Sequence, residues 1–135
     1  MNDTSNTSQA VFNTILVVED EVLIRNAIGE YLRHCGYRVI EAASADEAIV
    51  MLNEPKIIID VVFSDIEMSG SMDGFGLAQW VRANKPGVHI ILTGNIQKAA
   101  NAAGDLCEEG PHLAKPYEPQ QLIDWIKRLR ASNAK

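Results

Sequence analysis

The chain has 135 residues, 47% of them hydrophobic, and a formal net charge of −6 at pH 7. That length and apolar content fit one globular domain with its own core and exclude a disordered chain. The acidic balance argues against nucleic acid as a partner, and no apolar run reaches membrane-spanning length.

Residues 1–13 are rich in Asn, Thr and Ser and read as a flexible tail. Thr14-Ile15-Leu16-Val17-Val18 is a short apolar run ending in Glu19-Asp20-Glu21, as a buried parallel strand would. Ile24, Ala27, Ile28, Tyr31, Leu32 and Cys35 then fall on one helical face, and Gly36 stops that helix. Tyr37 to Glu41 is a second strand. Ser44-Ala45-Asp46-Glu47 is a capping box opening a second helix, whose apolar side is Ala48, Ile49 and Leu52. Ile57 to Ser64 is the most continuous apolar run and reads as a central strand covered on both faces, delivering Asp65 at its end. A loop over Met68 to Gly74 leads into a third helix, to about Ala83. Val88 to Leu92 is a fourth strand ending at Thr93-Gly94. Asn95 to Leu106 is an alanine-rich helix with little bulky apolar surface, so low local stability is expected there. Pro111 to Ala114 reads as a fifth strand ending at Lys115-Pro116, and a last helix runs from about Pro119 to Arg130 with a stripe of Leu122, Ile123, Ile126 and Leu129.

Strands alternating with helices imply an α/β fold: a parallel sheet with helices on both faces and right-handed crossovers. Ligands of such sheets bind beyond the carboxyl ends of the strands. The polar residues there are Glu19, Asp20, Asp65, Thr93 and Lys115. Crowded carboxylates repel unless a cation relieves them, and a hard divalent ion such as Mg2+ suits an oxygen-only site that leaves room for phosphate. Lys115 supplies a compact positive charge, Thr93 a hydrogen-bond donor, and Gly94 room for an oxygen beside an exposed N–H. The set suits phosphoryl transfer to Asp65 as the nucleophile.

At these residues the chain resembles a receiver domain of the two-component response-regulator family. Val17-Val18-Glu19-Asp20-Glu21, Ser64-Asp65-Ile66-Glu67-Met68 with Met72-Asp73-Gly74, Leu92-Thr93-Gly94, and Lys115-Pro116-Tyr117 carry the resemblance, in order and each at a strand end. It implies a flavodoxin-like (βα)5 fold, doubly wound, with five parallel strands. It implies Mg2+ bound by Asp20, Asp65 and the backbone carbonyl of Glu67, with Glu19 acting mainly through water. It implies a phosphoryl donor that is a sensor histidine kinase or a phosphotransfer protein, a cis Lys115–Pro116 bond, and an output face of fourth helix, fifth strand and fifth helix. Glu67, Gly94, Asn95 and His112 fall at positions that tune the switch. The chain departs from the family pattern with Glu19 in an acidic pair more often Asp-Asp, one extra residue after Asp65, Ser69 where proline is usual, and His112 where an aromatic residue is usual.

The expected protein is therefore a receiver domain over residues 14–131, flanked by tails at 1–13 and 132–135, with no attached output domain. It is a signalling switch, not an enzyme beyond its own phosphorylation and slow dephosphorylation, and it passes its signal to a downstream protein. A degenerate receiver that binds its partner without phosphorylation is an alternative, and a Mg2+-dependent phosphatase with an aspartyl nucleophile a lesser one. Met1 to Gln9 lacks the apolar core of a signal peptide. Cys35 and Cys107 form no C-x-x-C and are expected as two ordinary thiols in a reduced, cytoplasmic protein.

Overall fold

The computed structural model of the protein describes residues 12–110 and 118–133. In chain order the elements are β1 (Thr14–Val18), α1 (Val22–His34), β2 (Arg38–Ala42), α2 (Ala45–Leu52), β3 (Val61–Asp65), α3 (Gly74–Asn84), β4 (His89–Thr93), α4 (Ile96–Glu109) and α5 (Pro119–Asn133). The strands form a parallel sheet in the order β2-β1-β3-β4. With helices on both faces this is the expected flavodoxin-like architecture. The expected fifth strand, His112, Lys115 and the Lys115–Pro116 bond lie outside the described residues.

Period-two alternation along each strand divides the core. Ile15, Val17, Val61 and Phe63 face one cluster, with side chains from α1, α4 and α5. Leu16, Val18 and Val62 face the other, with α2 and α3. β1 is buried along its whole length because it lies between two strands and beneath helices on both sides. The face of α1 expected from sequence is the buried one. Gly36 ends the segment with φ 100°, a conformation open to glycine at little cost. At the start of α2, Ser44 accepts the Glu47 N–H at 3.1 Å, but Glu47 reaches back to the Ala43 N–H, one residue earlier than a standard box.

The structure corrects several expectations. β3 is shorter than the apolar run: Ile58 is 77% exposed, and pairing starts only at Val61. Asp60 interrupts the run, and its carboxylate accepts the N–H groups of Asn13 and Thr14 at 2.9 and 3.0 Å, fixing the entry into β1. Phe12, placed in the tail by sequence, stacks on His89 at 5.5 Å. A further correction concerns the cysteines, which form a Cys35–Cys107 disulfide with a Cα–Cα distance of 5.2 Å. Their 72-residue separation leaves no local spacing to read.

That disulfide changes the account of α4. Its alanines do not leave it weakly held; they allow close approach, and Ala99, Ala100, Ala103, Leu106 and Cys107 are all buried. The Tyr37 hydroxyl donates to the Leu106 carbonyl at 2.5 Å, and burial, reinforced by the Glu109 charge, pushes the phenol up to about 12. Disulfide and hydrogen bond together tie the α1–β2 junction to the last turns of α4.

The direction of α5 follows from its two ends. Pro119 sits against Gly104, where a Cβ would come within 2.6 Å of the proline ring, and Glu118 lies close enough to Tyr31 to act on it electrostatically. At the other end Arg130 reaches Glu21, just before α1. Hence α5 runs antiparallel to α1 and finishes near the carboxyl ends of the strands, opposite to the direction expected of the last helix in a (βα)5 fold. A loop of this length closed by a disulfide restrains the unfolded chain by about 4 kcal/mol in the chain-entropy account. Reduction should therefore lower the unfolding free energy by about 2–4 kcal/mol. Urea unfolding with and without dithiothreitol measures this, and Cys35→Ser should reproduce the loss and abolish the reductant effect.

Candidate functional site

Parallel pairing brings the acidic residues together. In the ladders Val18 stands opposite Ser64 and Asp65 opposite Thr93, so β1, β3 and β4 end at one level. Glu19 and Asp20 leave β1 there, and the Glu19 N–H still bonds the Ala42 carbonyl of β2 at 3.1 Å. Glu19, Asp20 and Asp65 each bring a carboxylate oxygen to within 4.8 Å of the others. They lie in a cleft of ≈ 260 Å³ that is also lined by Glu21, Glu67, Thr93, Gly94, Asn95 and Arg130. Every described residue of the sequence-derived set thus reaches one place; Lys115 and His112 are the two outside the description.

The three carboxylates have different surroundings. Glu19 is only 7% exposed. Burial pushes its carboxyl up to about 7, against a hydrogen bond from the Glu21 N–H and with the negative charges of Asp65 and Asp20 adding to the rise. Asp65 is half-buried. Its carboxyl is also raised, first by burial and then by Asp20, while the Ile66 N–H at 2.9 Å opposes the rise. Asp20 is exposed, and it is held below the usual carboxylate range by the Ser69 backbone N–H at 3.1 Å, with the Ser69 hydroxyl at 3.2 Å assisting. Proline at position 69 would have no N–H to give.

The loop after Asp65 returns tightly. The Gly74 N–H bonds the Ile66 carbonyl at 2.8 Å. A Cβ on Gly74 would overlap the Asp65 carbonyl oxygen and stand 2.7 Å from the Ile66 Cα, so glycine is required by close backbone approach. Asp73 caps α3 by accepting the Gly76 N–H at 2.9 Å. Asn95 caps α4 in the same way, accepting the Lys98 N–H at 2.8 Å. Thr93 is buried at the end of β4.

An all-oxygen donor set at these separations, with one carboxyl raised by burial and its neighbours, is able to hold a hard metal ion. Two features escaped the sequence reading. Ser69 had a signal, the serine in place of proline, but not its bond to Asp20. Arg130 had none: its Nε and Nη2 donate to both Glu21 oxygens at 2.9 and 2.8 Å, across 109 residues of chain.

Two outcomes follow from this geometry. The Glu19 carboxyl is raised from 4.5 to about 7 in the folded chain, so between those pH values the native state binds more protons than the unfolded one. Stability in EDTA should therefore fall as pH rises through that window, and Glu19→Gln should flatten the decline in a series of urea melts. Gly74→Ala must push the backbone apart and should cost more than about 1 kcal/mol, with chemical-shift changes centred on Asp65 and Ile66.

The model of the response regulator receiver domain family matches residues 15–127. The transcriptional regulatory protein ResD of Bacillus subtilis (strain 168) is 31% identical over 115 residues, which are 85% of this chain and 47% of ResD. The transcriptional regulatory protein AruR of Pseudomonas aeruginosa is 29% identical over 123 residues, 89% of this chain and 50% of AruR. The chain thus spans about half the length of these curated relatives. Among solved structures, the response regulator TrrA from Thermotoga maritima in complex with Mg2+-BeF superimposes with TM-score 0.58 at 29% identity, covering 87% of this chain and 98% of that one. A structure of the histidine kinase ThkA in complex with TrrA matches with TM-score 0.57 at 34% identity, over 62% of this chain and 70% of that one. With its parallel sheet, its acidic cluster at the strand ends and this similarity over most of its length, the chain belongs to the response regulator receiver domain family.

Proposed function

We propose that this chain is a phosphorylation-controlled signalling switch in which Asp65 accepts the phosphoryl group. The observation that carries the reading is the meeting of Glu19, Asp20 and Asp65 oxygens within 4.8 Å beside Thr93. Receiver domains in general are phosphoacceptor modules of two-component systems, and TrrA, a relative, has been seen both with Mg2+-BeF and with a histidine kinase.

The donor in this reading is a phosphohistidine on a sensor kinase or a phosphotransfer protein. A carboxylate oxygen of Asp65 attacks phosphorus, the P–N bond breaks, and its electron pair stays on the imidazole nitrogen, which takes a proton. Glu19, Asp20, Asp65 and the Glu67 backbone carbonyl would hold Mg2+, which when bound neutralises charge on the equatorial phosphoryl oxygens. The Thr93 hydroxyl donates to a phosphoryl oxygen, and Gly94 lines the cleft beside it. Lys115 is assigned the second positive charge. Glu67, Asn95 and His112 are assigned to tuning, Glu67 from the rim of the cleft and Asn95 as the cap of α4.

The product is a mixed anhydride on a domain that signals through contacts with a downstream protein. An acidic chain of net charge −6 does not suit direct nucleic-acid binding by this domain. No described helix is long and apolar enough to cross a membrane. In this reading the protein is cytoplasmic, and there the Cys35–Cys107 bond has to persist against a reducing environment.

Incubation with acetyl phosphate and Mg2+ should add one phosphoryl group by intact mass, and EDTA or Asp65→Asn should abolish it. Thr93→Ala should slow labelling about five- to tenfold, the loss of roughly one hydrogen bond worth ~1 kcal/mol. Equal labelling of Asp65→Asn rejects the assignment. Absence of labelling with partner binding retained would favour the phosphorylation-independent module.

A further inference from the structure

Gly29 lies inside α1, where glycine is a poor helix residue and no turn calls for it. Its surroundings supply a reason. A Cβ at this position would come within 2.8 Å of a Glu41 carboxylate oxygen. The bare backbone therefore lets Glu41, a residue of β2, lay its carboxylate against α1. Two arginines of α1 hold it there, Arg33 at 3.1 Å and Arg25 at 3.4 Å. The Arg25 and Glu41 side chains are only 17% and 19% exposed, so solvent screens this pair less than an exposed one.

Arg25 also reaches in another direction. Its Nη1 donates to the Glu19 backbone carbonyl at 2.9 Å, six residues back along the chain and before the start of its own helix. That carbonyl belongs to the peptide that joins Glu19 to Asp20. The Glu19 N–H, for its part, donates to the Ala42 carbonyl at 3.1 Å. Both backbone groups of Glu19 are thus tied to β2, one directly and one through Arg25 and Glu41.

We propose that Arg25 is a positioning residue for metal binding: braced by Glu41, it fixes the Glu19–Asp20 peptide and so sets both carboxylates for Mg2+. The inference rests on the reading of this cleft as a Mg2+ site. The peptide it holds carries two of the three carboxylates that meet within 4.8 Å. Those carboxylates repel, and an unbraced turn relieves the repulsion by swinging one of them outward. A brace opposes that relaxation in the metal-free chain, so less ordering is left for the ion to impose. A guanidinium suits the task because its donors point in fixed directions, one arm to the carbonyl and Nε to the carboxylate. Arg25 touches no metal ligand atom of the set; it acts through the backbone between them.

The test is a 1H–15N NMR titration of the full chain with MgCl2, with amide hydrogen exchange of the metal-free chain as a second readout and circular dichroism as the check on folding. Arg25→Met should weaken Mg2+ binding about five- to tenfold. A role through charge alone gives the opposite sign, because removing a cation beside three carboxylates tightens a divalent ion. In the metal-free variant the Glu21 and Ser69 amide protons, which donate to the Glu19 and Asp20 carboxylates, should exchange severalfold faster. Arg25→Lys keeps the charge but lacks the fixed fork, and should recover only part of the affinity. Gly29→Ala favours the helix yet displaces Glu41, and should weaken Mg2+ about two- to threefold. Added to Arg25→Met, it should cause no further loss, since both act through one chain of contacts. Unchanged or tighter Mg2+ binding in Arg25→Met, or fully additive losses in the double variant, overturns the proposal. If the parent chain binds no Mg2+, or Asp20→Asn binds it as the parent does, the metal-site reading fails and this inference with it. If Asp20 is needed and Arg25 is not, this inference alone fails.

Discussion

Mutual repulsion among Glu19, Asp20 and Asp65 is the constraint on which the rest of this molecule depends. Their oxygens stand within 4.8 Å of one another, and the most buried of them has its carboxyl raised to about 7, by burial first and by the charges of the other two in addition. Nothing local favours such crowding. It exists because β1, β3 and β4 pair in parallel with their ends level, and because hydrophobic burial on both faces of the sheet holds them so. The packing energy of the two clusters opposes the repulsion, and the repulsion in turn makes the cleft receptive to a cation.

The polypeptide distributes this tension over neighbouring groups instead of cancelling it. Backbone N–H groups of Glu21, Ile66 and Ser69 each donate to one of the three carboxylates. Ser69 is informative because the resemblance makes proline the expected residue there. A proline would stiffen the loop but remove the donor that stabilises charged Asp20. The longer loop is anchored at its end by Gly74, whose backbone passes so close to Asp65 that no side chain fits. On the far side Arg130 satisfies Glu21, keeping one more negative charge from acting unopposed on Glu19.

Away from the cleft, a second set of links fixes the helices that frame it. The Cys35–Cys107 disulfide and the Tyr37–Leu106 hydrogen bond join the end of α1 to the end of α4. Since Asn95 caps the start of α4 at the cleft, the helix is held at both ends. Alanine is the useful residue in between: small side chains let α4 lie close to the sheet and to α1 and α5, so its low bulk is a packing device and not a sign of weak attachment. The reading of α4 as loosely held failed because counting bulky apolar residues ignores how near a small-residue face can approach.

Several parts of the fold were legible from residues alone. Alternating strands and helices, the buried stripe of α1, the Gly36 stop, the Ser44 cap and the position of Asp65 at a strand end all follow from local rules of periodicity, capping and turn chemistry. So did the meeting of Glu19, Asp20, Asp65 and Thr93, because parallel strands place their ends together. Tertiary structure decided what depends on residues far apart in the chain. The exposure of Ile58 follows from Asp60 binding the start of β1, a contact across 46 residues. The cysteine pair spans 72 residues, and the Arg130–Glu21 fork spans 109. Local sequence carries the propensity of each segment, but the direction in which α5 crosses the sheet is set by packing among α1, α4 and α5. That direction is what brings Arg130 to the acidic cleft.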